Sequence, residues 1–118
     1  DAPFRDRLAG AYIDALAFQA MFTAVLAAVR SGERAGPRAS ILKIVNAELL
    51  QTLADLMLEA SGSLGMSVEP IHAGERKVSV GLAYLQARRQ IYGGTSEIQR
   101  NILAKRVLEL GAEPKRRN

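Results

Sequence analysis

Two adjacent glycines, Gly93 and Gly94, precede a segment whose residue types could bind a cofactor. Glycine lets the backbone turn tightly and approach a ligand closely. Ser96 is followed three residues later by Gln99, a capping-box spacing that predicts Ser96 as the cap of an amphipathic helix. The first turn of such a helix offers unpaired N–H groups and the positive end of the helix dipole, which suit an anionic or polar part of a cofactor. The alternative is that Gly-Gly-Thr-Ser merely joins two helices.

The residues around these glycines carry a more specific signal than their spacing. The run from Ile91 to Leu110 reads IYGGTSEIQRNILAKRVLEL and closely resembles the C-terminal signature of the acyl-CoA dehydrogenase family, which reads YEGTSEIQR or AGGTSEIQRNIIAERVLGL. Family members also have an N-terminal helical domain and a middle β-domain. We therefore expect a fragment of a longer chain, with an all-α, up-down four-helix bundle domain over residues 1–112 and a disordered basic tail over 113–118.

The resemblance implies an FAD-dependent oxidation of an acyl-CoA to a trans-2-enoyl-CoA, as in fatty acid β-oxidation. In the family, a carboxylate removes the α-proton, hydrogen bonds to the thioester carbonyl stabilise the enolate, and the flavin accepts the β-hydride. Many members have the catalytic glutamate where this chain has Gly93, so no catalytic residue is assigned here. Either the base lies on an earlier helix outside this chain, or an unlike subunit carries it, or the protein is a non-dehydrogenase member with the same flavin fold.

Binding residues are implied by the same resemblance. The positions that touch FAD after the glycine pair are occupied here by Thr95, Ser96 and Glu97. The backbone N–H of Gly93, or of Gly94 beside it, is expected to help polarise the thioester carbonyl. Lys105 matches a basic position near the coenzyme A end of the substrate, although an ordinary surface lysine is an equal alternative. No metal site is expected.

A second cofactor stretch of the family ends the second long helix and reaches the flavin of the neighbouring subunit. The matching residues that we assign to FAD binding are Glu59, Gly62 and Ser63. Glu59 replaces the usual glutamine, and an acid near a pyrophosphate is repulsive unless it is protonated or turned away. An exposed residue in the last turn of the helix is an equal interpretation of Glu59. Arg100 is expected to hold the bundle together rather than to bind ligand.

The partners implied are the acyl-CoA substrate, an electron-transfer flavoprotein, the chain's own N-terminal and middle domains, and further subunits in a homo- or hetero-oligomer, as a dimer or tetramer. The fragment alone is expected to be inactive. A different hypothesis is a free-standing helical interaction module, or a catalytically incomplete subunit of a hetero-oligomeric flavoprotein.

The composition suits one helical domain. The chain has 118 residues, of which 48% are hydrophobic but 5% aromatic, with no tryptophan, so that Leu, Ala, Val and Ile must supply the packing. The absence of cysteine excludes disulfides and thiolate metal sites, and the single His72 is expected in an exposed loop. The net charge of +4 comes from scattered basic residues without aromatic stacking partners, which argues against nucleic-acid binding.

Hydrophobic periodicity predicts four helices. They run from Arg5 to Arg30, from Pro37 to Ser61, from Val78 to Ile91, and from the glycine pair onward, with a loop over residues 62–74 and Gly62 in the left-handed conformation that often follows a helix. The residues expected to face inward are Phe4, Leu8, Tyr12, Leu16, Phe22, Leu26 and Val29 in the first helix, Leu42, Val45, Leu49, Leu53, Leu56 and Ala60 in the second, Leu82, Leu85 and Arg89 in the third, and Ile98, Ile102, Val107 and Leu110 in the fourth.

The first helix approaches the length of a membrane span, but Asp14 lies inside it and seven residues between Ala11 and Val29 are alanine. We expect instead a helix packed closely on several faces by neighbouring helices or another subunit. The chain begins at Asp1 without a signal-peptide pattern. This favours a cytoplasmic location in a bacterium or the mitochondrial matrix in a eukaryote.

Overall fold

Four helices form most of the structure, a computed structural model that describes residues 1–67, 69–88 and 94–110. They are α1 (Ala2–Arg30), α2 (Pro37–Ser61), α3 (Val80–Ala87) and α4 (Ser96–Arg106). A 3-10 helix (Gly62–Met66) and an antiparallel hairpin of strands β1 (Ile71–Ala73) and β2 (Arg76–Val78) connect α2 to α3. The predicted all-α class with four helices is therefore confirmed.

The segment between α2 and α3 is more ordered than the predicted loop. Strand β1 pairs with β2 so that His72 lies opposite Lys77, and Gly74 adopts a φ of +63° in the intervening turn. His72 is exposed as predicted, but it lies in a strand rather than a loop. Strands of three residues are too short to show an alternating pattern in the sequence, which is why the hairpin was missed.

Gly62 ends α2 at the predicted position, although its conformation differs from the prediction. Its φ is +53°, but its ψ is −134°, whereas the left-handed helical region requires a ψ of roughly +30 to +60°. This backbone direction starts the 3-10 helix instead of a left-handed cap.

Helices α1 and α2 form an antiparallel pair. Arg7, near the start of α1, forms an ion pair with Glu59, near the end of α2. Met21 and Val25, further along α1, line a cavity together with Leu42 in the first turns of α2. Pro37 occupies the first turn of α2, where its missing N–H leaves no helical hydrogen bond unmade.

Helices α3 and α4 lie one after the other along α2, and the chain passes along them antiparallel to α2. Gly81 of α3 lies against the 3-10 helix, because a β-carbon at Gly81 would be 3.5 Å from the carbonyl oxygen of Gly65. Arg88, which follows α3, forms an ion pair with Asp55 in the second half of α2. Arg100 of α4 pairs with Glu48, two turns earlier in α2. Helix α2 is thus the central element against which the other three pack.

Most of the buried apolar residues belong to α2. They are Ala47, Leu49, Ala54 and Leu56, to which α1 adds Ala11 and α3 adds Val80. None of the large side chains that the structure describes is fully buried. The radius of gyration is 18.1 Å, compared with about 13 Å for a compact domain of this length. The chain is therefore more open than a self-contained domain.

Several residues that were expected to face inward are exposed. In α1, Tyr12 and Phe22 have 64% and 50% of their surface exposed. The same correction applies to Leu8, Leu16, Leu26, Val29, Leu82, Leu85, Ile98, Val107 and Leu110 and to Ala60, whereas Arg89 lies outside the described residues. Periodicity identifies the apolar face of a helix but not whether the same chain covers it.

Helix α1 is long and apolar enough to cross a membrane by length and composition, with a mean hydropathy of 1.7 over its most apolar 18 residues. Core helices of soluble proteins also meet this criterion, and the exposed Asp14 lies near the middle of α1. The finding is weak evidence for a membrane span.

Candidate functional site

The turn that begins α4 is capped by Thr95. Thr95 has an extended backbone, and its hydroxyl oxygen accepts a hydrogen bond from the N–H of Ile98 at 3.4 Å. Its carbonyl oxygen accepts the first helical hydrogen bond, from the N–H of Gln99 at 3.0 Å. The predicted cap, Ser96, is therefore wrong by one position, because Ser96 is already the first helical residue. Gln99 consequently cannot close a capping box.

The carboxylate of Glu97 lies at the positive end of the α4 dipole. Hydrogen bonds from its own backbone N–H and from the hydroxyl of Thr95 lower the pKa of Glu97, as expected for an anion at a helix N-terminus. The turn therefore already holds a negative charge of its own. A polar, uncharged group with hydrogen-bond donors fits this surface better than a phosphate does.

The side chain of Gln99 lies directly under the glycine turn. Gly94 has a φ of +95°, and a β-carbon at Gly94 would be 2.9 Å from Nε2 of Gln99 and 3.5 Å from Cγ2 of Ile98. Only glycine therefore fits at this position without displacing the amide. Gln99 itself is 8% exposed. The sequence indicated Gln99 only as a capping partner and not as the floor of the turn.

Helix α4 is held against α2 by an ion pair, as predicted for Arg100. Nη2 of Arg100 lies 2.6 Å from Oε1 of Glu48. Glu48 is one of three α2 residues whose carboxylates each bind an arginine of a different segment. The other two pairs are Asp55 with Arg88 and Glu59 with Arg7. Since all these side chains are about half exposed, each pair orients a helix more than it stabilises the fold.

The guanidinium group of Arg88 has a second neighbour. It lies 4.6 Å from the ring centroid of Tyr84 and donates a hydrogen bond of 3.1 Å to the Tyr84 hydroxyl. This hydrogen bond, followed by the charge of Asp55, raises the pKa of Arg88. The stacked arginine marks where α3 ends against α2.

The second predicted cofactor stretch lies elsewhere on α2. Glu59, Gly62 and Ser63 are all exposed, and the Glu59 carboxylate is paired with Arg7. Glu48, the residue of α2 that contacts α4, precedes Glu59 by eleven positions, or about 16 Å of helix. The structure therefore does not bring the two predicted FAD stretches together within one chain.

The remaining predicted site residues are either exposed or outside the described residues. Lys105 is exposed in the last turn of α4, nine positions after Ser96, where its charge complements the negative end of the helix dipole. Gly93, the position of the usual base, lies outside the described residues, as does the predicted tail over 113–118. Within the described ranges, no three His, Asp or Glu side chains are close enough to hold a metal ion together.

An apolar cavity that the sequence did not indicate lies between the end of α2, the 3-10 helix and α3. Its volume is about 400 Å³, and its lining includes Leu58, Met66, Leu82 and Leu85. Volumes of this size are typical of small-molecule pockets. This cavity could not be predicted from the sequence, because it depends on how the 3-10 helix folds back toward α3.

A comparison with models of protein families identifies the domain. A family model for the C-terminal domain of acyl-CoA dehydrogenases matches residues 2–108, a range that includes all four helices and the turn at Gly94. No curated protein and no solved structure gives a match to this chain.

Proposed function

Because the chain belongs to the acyl-CoA dehydrogenase family and matches the C-terminal domain of that family, we propose a function for the full-length protein. It is an FAD-dependent oxidoreductase that converts an acyl-CoA to a trans-2-enoyl-CoA. The observation that carries this proposal is the family match over residues 2–108. The match includes the part of the chain where a left-handed glycine, a capping threonine and a helix N-terminus occur in succession.

Members of this family generally bind FAD, which supplies the acceptor for the β-hydride. In this chain, the hydroxyl of Thr95 and the first turn of α4 would hold part of the cofactor. Since Glu97 is anionic and already accepts the nearest donors, this turn is suited to a hydroxyl-bearing or N–H-bearing part rather than to the pyrophosphate.

The stretch at the end of α2 would contact the flavin of a neighbouring subunit. The objection to an acidic residue there is weakened by the structure, because Arg7 neutralises Glu59 and the charge of the pair is close to zero. The separation of this stretch from the α4 turn along α2 is compatible with two cofactor sites that are each completed by a second subunit.

The substrate would meet the backbone rather than a side chain at the glycine turn. The N–H of Gly94 would polarise the thioester carbonyl and stabilise the enolate that forms when the α-proton leaves. Lys105 would contact the coenzyme A end. Since glycine occupies the usual position of the base, the carboxylate that removes the proton belongs to another part of the full-length protein or to another subunit. This chain alone is then inactive.

The exposed apolar surface of α1 supports the remaining part of the proposal, that the domain is covered by the protein's other domains and by further subunits. Tyr12, Ile13 and Phe22 are each half or more exposed, and exposed apolar patches on a protein surface mark interaction sites. Electrons would pass from the reduced flavin to an electron-transfer flavoprotein.

The first experiment tests the full-length protein for flavin. We expect visible absorption typical of bound FAD, about one FAD per chain after denaturation, and reduction of an artificial electron acceptor when an acyl-CoA is added. A colourless protein that takes up no FAD during refolding with the cofactor contradicts the proposal.

A pair of threonine variants tests the assigned turn. Thr95→Val removes the hydroxyl that caps α4 and is expected to weaken FAD binding about 3- to 10-fold, the value of one hydrogen bond. Thr95→Ser should restore the affinity. Thr52→Val is the matched control, since the Thr52 hydroxyl donates only to the carbonyl of Glu48 within α2. Equal weakening by Thr95→Val and Thr52→Val would show that Thr95 does not contact the cofactor.

A further inference from the structure

Helix α4 buries polar side chains in preference to an apolar one. Its buried residues are Ser96 and Gln99, whereas 52% of Ile98 is exposed. Burying an amide is unfavourable unless the amide is hydrogen-bonded, and none of the buried side-chain polar atoms among the described residues lacks a partner. A glutamine at this position needs a reason beyond apolar packing.

The contact with Gly94 supplies that reason. The amide nitrogen of Gln99 occupies the space that a side chain at Gly94 would need, at 2.9 Å from the position of its β-carbon. The positive φ of Gly94 and the Thr95 cap fix the backbone on either side of this contact. The buried amide end of Gln99 is therefore a direct neighbour of the Gly94 backbone at the start of α4.

We propose that Gln99 is a positioning residue, which sets the orientation of the Gly94 peptide group toward the thioester carbonyl of the acyl-CoA. This inference rests on the proposed function and adds a residue to it. Gln99 does not touch the substrate. Its amide supports the Gly94 backbone from below, while Arg100, the next residue, fixes α4 to Glu48 of α2.

The test measures the affinity of the full-length holoenzyme for two ligands that differ in one group. The first is a trans-2-enoyl-CoA, which has the thioester carbonyl but no hydride to lose. The second is the alkyl-CoA thioether of equal chain length, which lacks the carbonyl. The ratio of the two dissociation constants reports the hydrogen bonds to the carbonyl, and general damage to the fold leaves that ratio unchanged.

Gln99→Leu, which keeps the size of the side chain but removes the amide, is expected to weaken enoyl-CoA binding about tenfold and thioether binding less than twofold. Gln99→Glu, which replaces Nε2 by an oxygen, should have the same selective effect. It serves as the second variant if Gln99→Leu does not fold. The control is Thr52→Val, which removes a hydroxyl that donates to the backbone carbonyl of Glu48 within α2 and should leave the ratio unchanged.

Two results overturn the inference. One is an equal loss of affinity for both ligands in the Gln99 variants, which indicates a purely structural role. The other is an unchanged ratio in variants that retain FAD. If the unsubstituted holoenzyme binds both ligands equally, or if it contains no flavin, the proposed function fails first, so that the two failures are distinguishable.

Discussion

Helix α1 and the turn that begins α4 differ in how far contacts within the chain hold their side chains. Of the 29 residues of α1, the structure buries Ala11, and large side chains such as Tyr12 remain mostly exposed. The α4 turn is short, yet Gly94, Thr95 and Gln99 are fixed by contacts within the chain. Helix α1 therefore keeps a largely exposed apolar surface, while the α4 turn is held by contacts among its own residues.

The largest effect should come from placing charges on the exposed face of α1. Tyr12→Glu combined with Leu16→Glu puts two carboxylates one turn apart on exposed apolar positions. In the full-length protein we expect the dissociation constant of the oligomer to rise about 100-fold or more, since buried interface anchors each contribute about 2 kcal/mol. Size-exclusion chromatography with light scattering measures the oligomeric state.

The control is His72→Glu combined with Gln86→Glu, which adds two carboxylates at exposed positions outside α1. It should leave the oligomer intact. If both double variants keep the oligomer, the apolar face of α1 is not an interface between subunits.

The next largest effect compares two leucines in the 118-residue chain. Leu56 of α2 is 6% exposed, and Leu16 of α1 is 48% exposed. Leu56→Ala should lower the free energy of unfolding by about 2 to 5 kcal/mol, and Leu16→Ala by less than about 1 kcal/mol. Urea denaturation followed by circular dichroism gives both values. Equal losses would mean that α1 already packs as tightly as α2.

Two glycine substitutions should change stability in opposite directions. Gly94→Ala forces a side chain into a backbone with a φ of +95° and against Gln99, and should cost about 1 to 3 kcal/mol. Gly10→Ala in α1 meets no atom within 4 Å, and should stabilise the chain by about 0.5 to 1 kcal/mol, because alanine favours the helix. Denaturant unfolding of both variants measures the difference. If both substitutions change the free energy of unfolding in the same direction, the contrast between the constrained glycine turn and the exposed helix α1 is wrong.

The sequence predicted the parts of the fold that depend on local signals. Pro37 and Gly62 gave both ends of α2, which begins and ends as predicted, because a proline in the first turn and a glycine after the last turn act over a few residues. Arg100 was correctly expected to hold the bundle together. The hairpin around Gly74 was missed because its strands are three residues long.

The parts that depend on distant contacts could not be predicted. The face predicted to point inward in α1 is largely exposed, whereas the less exposed residues, such as Ala11, Phe18 and Val25, lie on another side of the helix. A helix that is apolar on several sides does not show by periodicity which side packs within the chain. At the candidate site, two adjacent hydroxyl residues, Thr95 and Ser96, are both good caps, and the extended backbone of Thr95 decides between them. The position of Gln99 beneath the glycine turn could not be predicted, because its burial depends on the backbone path at Gly94.

The smallest effect is the pH dependence of Glu97. Because its pKa is lower in the folded chain than its ordinary value of about 4.3, the ionised carboxylate stabilises the fold. That contribution is fully present above pH 4.3 and disappears as the pH falls through the lower folded pKa. Glu97→Gln should therefore lower the free energy of unfolding slightly at pH 7 and have no effect at about pH 2. Glu75→Gln in the exposed hairpin turn, away from any helix N-terminus, is the control and should change little at either pH. If Glu97→Gln instead stabilises the chain at pH 7, the α4 dipole does not stabilise the Glu97 carboxylate. The turn is then not complete before a ligand binds.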